Sequence, residues 1–264
     1  MDPVLTLSLI QPDLTWEDPV QNMEKLSRQL EQLPDPVDLI LLPETFNTGF
    51  SIHPERCAEY MNGPSVHFLR EKSAEKKAVI IGSLLIAEDG KYYNRLIAMF
   101  PDGHYEYYDK RHLFRMSDEN RKLTPGTRRI IIEVKGWKIL PLVCYDLRFP
   151  VWSKNRMNGN DYEYDLLIYA ANWPASRHAV WKSLLTARAI ENLAFVAGVN
   201  RVGKDGDGTD HLGESVIVDH KGFILGIADK ETPSVVTAAI DRKELEDFRR
   251  SFPVGLDWDQ FIIR

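Results

Sequence analysis

Residues 38–44 read Asp38-Leu39-Ile40-Leu41-Leu42-Pro43-Glu44. The apolar run is too short for a helix and is closed by proline, so it reads as a strand buried on both faces that ends just before a carboxylate. A strand with no polar face needs cover above and below, as in a layered α/β fold. Upstream, residues 4–10 form a first strand. Val20, Met23, Leu26, Leu30 and Leu33 then recur at spacings of three and four, which puts them on one helical face. Downstream, a helix over 65–77 leads into a strand over 78–86. Segments 94–100 and 104–108 flank Pro101-Asp102-Gly103, a hairpin signal, and Lys110 lies just past the second arm.

A second hairpin, 129–134 and 137–143 around Lys135-Gly136, delivers Cys144 at its end. Residues 165–171 read as another strand, and Trp181, Leu184, Leu185, Ala189 and Leu193 as a helical stripe. Segments 195–200, 215–219, 223–228 and 235–240 are further strands, followed by a charged helix over 241–250. Helices separate some strands and hairpins join others, so the sheets are mixed, and two sheets packed face to face between helix layers would bury all these runs. The predicted fold is an α/β four-layer αββα sandwich with two mixed β-sheets. No Gly/Ser-rich or Pro-rich linker divides the chain and no self-similar period appears, so residues 1–264 read as a single domain.

At 44% hydrophobic and 27% charged, the composition supports a full core and excludes disorder. Lys and Arg total 33 against 39 Asp and Glu, a net charge of -6, the opposite of what a phosphate-tracking surface needs. No nucleic-acid partner is expected. The apolar runs fall far below the ~20 residues that cross a bilayer, and Met1-Asp2-Pro3 places no basic region ahead of an apolar stretch. The expectation is a cytoplasmic protein that is not exported and has no membrane partner. Cys57 and Cys144 supply neither a disulfide framework nor a four-ligand zinc site, which fits a reducing compartment.

Cys144 stands at the abrupt end of a buried strand and ahead of an expected helix start, as a nucleophile does on a strand–turn–helix elbow. The plain alternative is a small buried hydrophobe. A thiol needs a base or a neighbouring cation to act as a nucleophile at neutral pH. Two candidates occupy comparable strand ends: Glu44 in Leu41-Leu42-Pro43-Glu44-Thr45-Phe46, and Lys110 in Tyr108-Asp109-Lys110-Arg111-His112. Each taken singly reads equally well as a solvated surface charge.

The three blocks around Glu44, Lys110 and Cys144 (Cys144-Tyr145-Asp146-Leu147-Arg148-Phe149-Pro150) resemble those of the nitrilase (carbon–nitrogen hydrolase) superfamily. Its Glu, Lys and Cys occur in this order, each after a strand. Glu119, ahead of Thr124-Pro125-Gly126, resembles that family's second, accessory Glu. Ile10-Gln11-Pro12, Asn172-Trp173-Pro174 and Arg188-Ala189-Ile190-Glu191-Asn192 extend the resemblance over nearly the whole chain. Where many relatives place Glu after the Cys block, Val151-Trp152 stands here. With Asn172-Trp173-Pro174, that pattern is similar to the bacterial omega-amidase branch, which hydrolyses the terminal amide of 2-oxoglutaramate.

The resemblance implies a small-molecule amide substrate, with Cys144 as nucleophile and Glu44 as the base that takes its proton and passes it to departing ammonia. Lys110 and the Tyr145 backbone N–H would hold the oxyanion, and Glu119 would orient Lys110 or the amide. No metal or organic cofactor is required, because protein groups supply every role. Arg148, four residues past Cys144, would grip a substrate carboxylate or pair with Asp146 or Glu119 instead. Trp173 and Phe46 would wall the pocket. The family also implies a homodimer, with Val151, Trp152 and Met157 suited to its interface.

Other specificities of the superfamily remain open on this reading: deaminated-glutathione amidase, N-carbamoyl amidase and nitrilase. So does a non-enzymatic binding protein of the same fold. No Gly-x-Ser-x-Gly elbow and no His-x-x-x-His pair occurs. The acidic stretch 205–210 lacks the alternation and closing Glu of a calcium loop and reads as an exposed turn. Cys57 reads as structural.

Overall fold

The computed structural model describes residues 3–159 and 161–263. Met1 and Asp2 of the N-terminal stretch read above lie outside the described residues, as do Asn160 and Arg264. From the N-terminus, β1 (Val4–Gln11) leads to α1 (Pro19–Glu31), β2 (Leu39–Leu41), the short α2 (Pro54–Cys57) and α3 (Pro64–Lys76). β3 (Val79–Glu88), β4 (Lys91–Met99) and β5 (Tyr105–Asp109) form a meander. One turn of helix, α4 (Glu119–Lys122), precedes β6 (Ile132–Val134) and β7 (Trp137–Val143). A 3-10 turn over Cys144–Arg148 is followed by α5 (Pro150–Ser153) and a ribbon of β8 (Met157–Asn158) and β9 (Asp161–Tyr162). β10 (Leu166–Ala170), α6 (His178–Asn192) and β11 (Phe195–Val199) come next, then a second ribbon of β12 (Val202–Lys204) and β13 (Asp210–Leu212). β14 (Val216–Val218), β15 (Ile224–Ile227), β16 (Ser234–Asp241) and α7 (Arg242–Ser251) close the order.

Six strands build one sheet in the order β16-β1-β2-β3-β4-β5, and six build the other in the order β15-β14-β11-β10-β7-β6. Both are mixed. β2 lies parallel to β1 and β3 while β1 is antiparallel to β16. β10 is parallel to β7 and β11, whereas β14 runs antiparallel to β11. The parallel pairs are the ones joined through helices, which is what a crossover connection requires.

Alternation along the strands sets the layers. Leu5, Leu7, Leu9, Leu39 and Leu41 point into one core with Ile139, Ile168 and Ala197 of the other sheet. Their neighbours Ile10, Ile40, Leu42 and Ile80 pack against Leu26 and Leu30 of α1 and Val66 and Leu69 of α3. On the far side α6 lays Trp181, Leu185 and Ala189 on the second sheet. Gly198 of β11 permits that approach, since a Cβ there would meet Leu185 Cδ1 at 2.6 Å. The result is the four-layer αββα sandwich.

Three local expectations are corrected. On α1, Val20 is 66% exposed and the buried stripe is Asn22, Leu26 and Leu30. Asn22 displaces valine from the core because its amide bonds the Thr15 and Asn47 carbonyls. No extended helix follows Cys144. The chain makes the five-residue 3-10 turn, and Pro150 then starts the single turn of α5. Trp152 is buried within the chain, its indole N–H donating to the Tyr108 hydroxyl at 2.9 Å, so it cannot serve a subunit interface. Among the described residues, no helix is long and apolar enough to cross a membrane.

Candidate active site

Four strand ends and one position inside a strand bring the polar residues together. Glu44 follows β2, Lys110 follows β5 and Cys144 follows β7, while Asn94 lies within β4 and Asn172 stands just past β10. The first sheet therefore supplies the carboxylate and the ammonium, and the second supplies the thiol. Gly126 helps to fix the Lys110 end: its N–H donates to the Lys110 carbonyl at 3.0 Å, and a Cβ there would lie 1.9 Å from the Asp109 carbonyl oxygen.

Lys110 is buried between two buried carboxylates. Its Nζ donates to Glu44 Oε1 at 2.8 Å and to Glu119 Oε1 and Oε2 at 3.1 and 3.0 Å. Asn94 Nδ2 bridges the same two carboxylates, at 2.8 Å to Glu44 and 3.1 Å to Glu119. Backbone amides complete the set: Asn172 N–H donates to Glu44 Oε2 at 3.0 Å, and Phe114 N–H to Glu119 Oε2 at 2.6 Å. Burial works against the Lys110 charge, but Glu119 and Glu44 outweigh it and hold its pKa above the usual lysine value. Burial raises the Glu119 pKa, with Lys110 opposing and Glu44 adding to the rise.

Cys144 takes a left-handed backbone, φ 39°, which few residues other than glycine adopt. Such a conformation belongs to a sharp elbow that turns the side chain out of the sheet. The thiol is 9% exposed and its Sγ donates to the Asn172 carbonyl at 3.9 Å. Burial pushes its pKa well above the ordinary thiol value, and the adjacent Glu44 carboxylate adds to the rise through its charge and a hydrogen bond. The resting thiol is therefore protonated and sits against a carboxylate that can accept its proton.

The turn is held from below by Asp146. Its Oδ2 accepts from the Tyr108 hydroxyl at 2.8 Å and from Val143 N–H at 3.1 Å, and its Oδ1 accepts from His112 N–H at 3.0 Å. The loop after Lys110 and the turn after β7 thus share one buried carboxylate. Asp146 is spent on these bonds, and Glu119 on Lys110, Asn94 and Phe114, so neither pairs with Arg148.

A pocket of about 360 Å³ opens above the thiol, lined by Glu44, Lys110, Cys144 and Asn172 at its base. Tyr145, Arg148 and Trp173 also line it, as expected. Arg148 lies over the Trp173 ring, 5.1 Å from its centroid. Phe46 does not line the pocket: it is buried behind Glu44 against Gly82 and tilts toward Phe68. Its place as an aromatic wall is taken by Phe50 and Phe114. Sequence reading missed Asn94 of β4, as well as Arg177, Asp205, Asp207 and His211 at the pocket wall. The acidic stretch is the exposed tip of the β12–β13 ribbon, with Asp205 Oδ1 accepting the Asp207 and Thr209 amides at 3.0 and 2.8 Å. Cys57 is buried among Leu85, Leu113 and Leu123, away from the site. Among the described residues, no group of three or more His, Cys, Asp or Glu could hold a metal ion.

His211 yields a pH test. Burial, helped by Arg201, lowers its imidazole from 6.5 to about 4. The folded state holds it neutral, so its contribution to stability is present above pH 6.5 and lost as the pH falls toward 4. The urea midpoint of the wild type should drop more steeply between pH 6.5 and 4 than that of His211→Gln. Parallel curves would show that His211 does not titrate on unfolding in this window.

The carbon–nitrogen hydrolase family model matches residues 6–250. Omega-amidase YafV of Escherichia coli (strain K12) is 42% identical over 259 residues, 98% of both chains. The 2-oxoglutaramate amidase of Bacillus subtilis (strain 168) is 33% identical over 252 residues, 94% of this chain and 95% of its own. The crystal structure of a CN-hydrolase superfamily protein from Xanthomonas campestris, which carries an arsenic adduct in its active site, superposes with a TM-score of 0.96 at 43% identity. It covers 99% of both chains.

Proposed function

The chain belongs to the carbon–nitrogen hydrolase family, and from that premise we propose that it hydrolyses the terminal amide of small ω-amido acids such as 2-oxoglutaramate, releasing ammonia through a thioester on Cys144. The observation that carries the reading is a buried thiol beside a buried carboxylate, with a buried ammonium bonded to that same carboxylate. Relatives named for omega-amide and 2-oxoglutaramate hydrolysis support the substrate class.

Glu44 takes the thiol proton as Sγ attacks the amide carbon, and the carbonyl electrons move to oxygen. Lys110 directs one N–H to Glu44 and shares another between the Glu119 oxygens, which leaves its third donor for the oxyanion together with the Tyr145 amide. Glu44 then protonates the departing nitrogen, so ammonia leaves and the acyl group stays on sulfur. Water enters, gives its proton to Glu44 and attacks the thioester. The carboxylic acid departs and the thiol regains its proton. Glu119 holds Lys110 in place throughout. The net change is amide plus water to acid plus ammonia, and the cycle draws only on protein groups and water.

Ammonia release from a panel of ω-amides, N-carbamoyl compounds and nitriles tests the assignment. Succinamate and 2-oxoglutaramate should turn over far faster than the other classes, and Cys144→Ala should fold and release none. Turnover retained by Cys144→Ala would end the proposal.

Glu44 and Lys110 work as one unit with the thiol, so their losses should not multiply. The double variant Glu44→Gln, Lys110→Ala is expected to be scarcely slower in kcat than the worse single variant. Losses that multiply would make the two groups independent and the shared mechanism wrong.

We also propose a homodimer. Val151 within α5 is 53% exposed and Met157 is half-buried, which leaves apolar surface near the nucleophile for a symmetric contact. Light scattering at micromolar concentration should report twice the mass of one chain; a single-chain mass refutes it.

A further inference from the structure

The pocket holds a second guanidinium, and its placement answers no need of the fold. Arg177 ends the 3-10 turn Ala175–Arg177 and stands at the N-terminal end of α6. A cation is disfavoured there by the helix dipole, and the first turn of α6 contains no acidic residue to offset it. Arg177 is half-buried, and among the described residues its side chain has no ion-pair partner. Its guanidinium carbon lies 5.2 Å from the centroid of Phe114. Arg148 repeats the arrangement over Trp173 and likewise has no ion pair among the described residues.

Both aromatic supports are tied to the site. Trp173 Nε1–H donates to the Arg177 carbonyl at 2.9 Å, and the Phe114 amide donates to Glu119. Each guanidinium therefore rests on an aromatic wall that is itself held, Phe114 by Glu119 and Trp173 by the Arg177 carbonyl and the Asn200 side chain, and both guanidiniums line the cavity. The other charges in the outer pocket are Asp205 and Asp207 on the ribbon tip. Asp205 Oδ1 is bonded to its own turn, and neither aspartate pairs with Arg148 or Arg177.

From this we infer that Arg177 and Arg148 together form a carboxylate subsite, and that Arg177 is a specificity-determining residue for the end of the substrate remote from the amide. The inference rests on the ω-amide reading for the reaction but not for the binding of the anion. Two guanidiniums on stacked supports lose little freedom when they grip a planar carboxylate, which gives geometric selectivity as well as charge. The aspartates across the pocket repel the same carboxylate, so an ω-amido acid enters with one orientation, amide toward Cys144 and carboxylate toward the arginines.

Two readouts test this. The first is the ratio of kcat/KM for succinamate to that for butyramide, which has the same chain length without the charge. Arg177→Gln should lower this ratio about tenfold or more, mainly through KM for succinamate, the loss expected for one charge-assisted contact. Arg177→Glu should lower it further and favour 4-aminobutanamide, whose free end is an ammonium. The Trp173 bond uses the Arg177 backbone carbonyl, so it survives both substitutions. The second readout is the affinity of succinate for Cys144→Ala protein by calorimetry, which should weaken by a similar factor when Arg177→Gln is added. A ratio and an affinity both within about twofold of the parent in both variants would overturn the subsite. Failure of the wild type to release ammonia from succinamate would overturn the ω-amide reading instead, and succinate affinity would then decide the subsite alone.

Discussion

A lysine ammonium shut between two carboxylates governs the design of this molecule. Lys110, Glu44 and Glu119 are at most 1% exposed, and their formal charges leave one negative charge over. Taking such groups out of water costs several kcal/mol per ion, recovered only when the remaining lone pairs and protons find partners. Here they do. Asn94 donates to both carboxylates, and the Asn172 and Phe114 amides donate to one each. Removal of one member from such a buried set ordinarily costs about 3–5 kcal/mol because it strands the others. The cluster is thus a structural keystone before it is a catalytic one.

Burial decides the state of the thiol, and the surplus negative charge reinforces it. A thiolate at Cys144 is penalised first by its burial and would also add a second unbalanced charge beside Glu44, so the resting sulfur keeps its proton. Deprotonation must then accompany bond formation to carbon, when the new charge appears on the carbonyl oxygen within reach of Lys110 and not on sulfur beside Glu44. A buried protonated thiol is also a poor target for adventitious oxidants, which act on thiolates. The geometry that demands a substrate before activation protects the nucleophile between turnovers.

Much of this was legible in the chain, because the strand-end residues interrupt apolar runs. Asp38-Leu39-Ile40-Leu41-Leu42-Pro43 has one physical solution, a strand covered on both faces, and its register delivers Glu44 to the carboxyl end of an interior strand. The same holds for β7 and Cys144. Where reading failed, local pattern competed with tertiary contacts. Val20 fits the α1 stripe by spacing, yet Asn22 is buried because it bonds backbone carbonyls from other segments. Trp152 looked like an interface residue because nothing local reveals the Tyr108 hydroxyl across 44 positions. Phe46 is two residues past Glu44 in sequence, but the intervening Thr45 takes a left-handed backbone, φ 42°, and the ring packs in the helix–sheet layer.

Residues of the outer pocket were the least legible for a related reason: they come from turns, whose side chains follow no period. Arg177 ends the turn before α6, and Asp205 and Asp207 sit on the tip of a ribbon, whereas Arg148 was legible only because it stands in the Cys144 block. Beneath them the reacting groups are fixed by two sheets and cannot shift without stranding a buried charge. The molecule therefore separates two tasks. On the proposed reading, bond cleavage depends on a cluster held between the two sheets, while the choice of substrate depends on arginines whose side chains make no hydrogen bond to that cluster. Turns carry the recognition because each can change its side chain without moving a strand end. One layered fold can thus pair a single thiol chemistry with different amides, according to the charges placed around the mouth of the pocket.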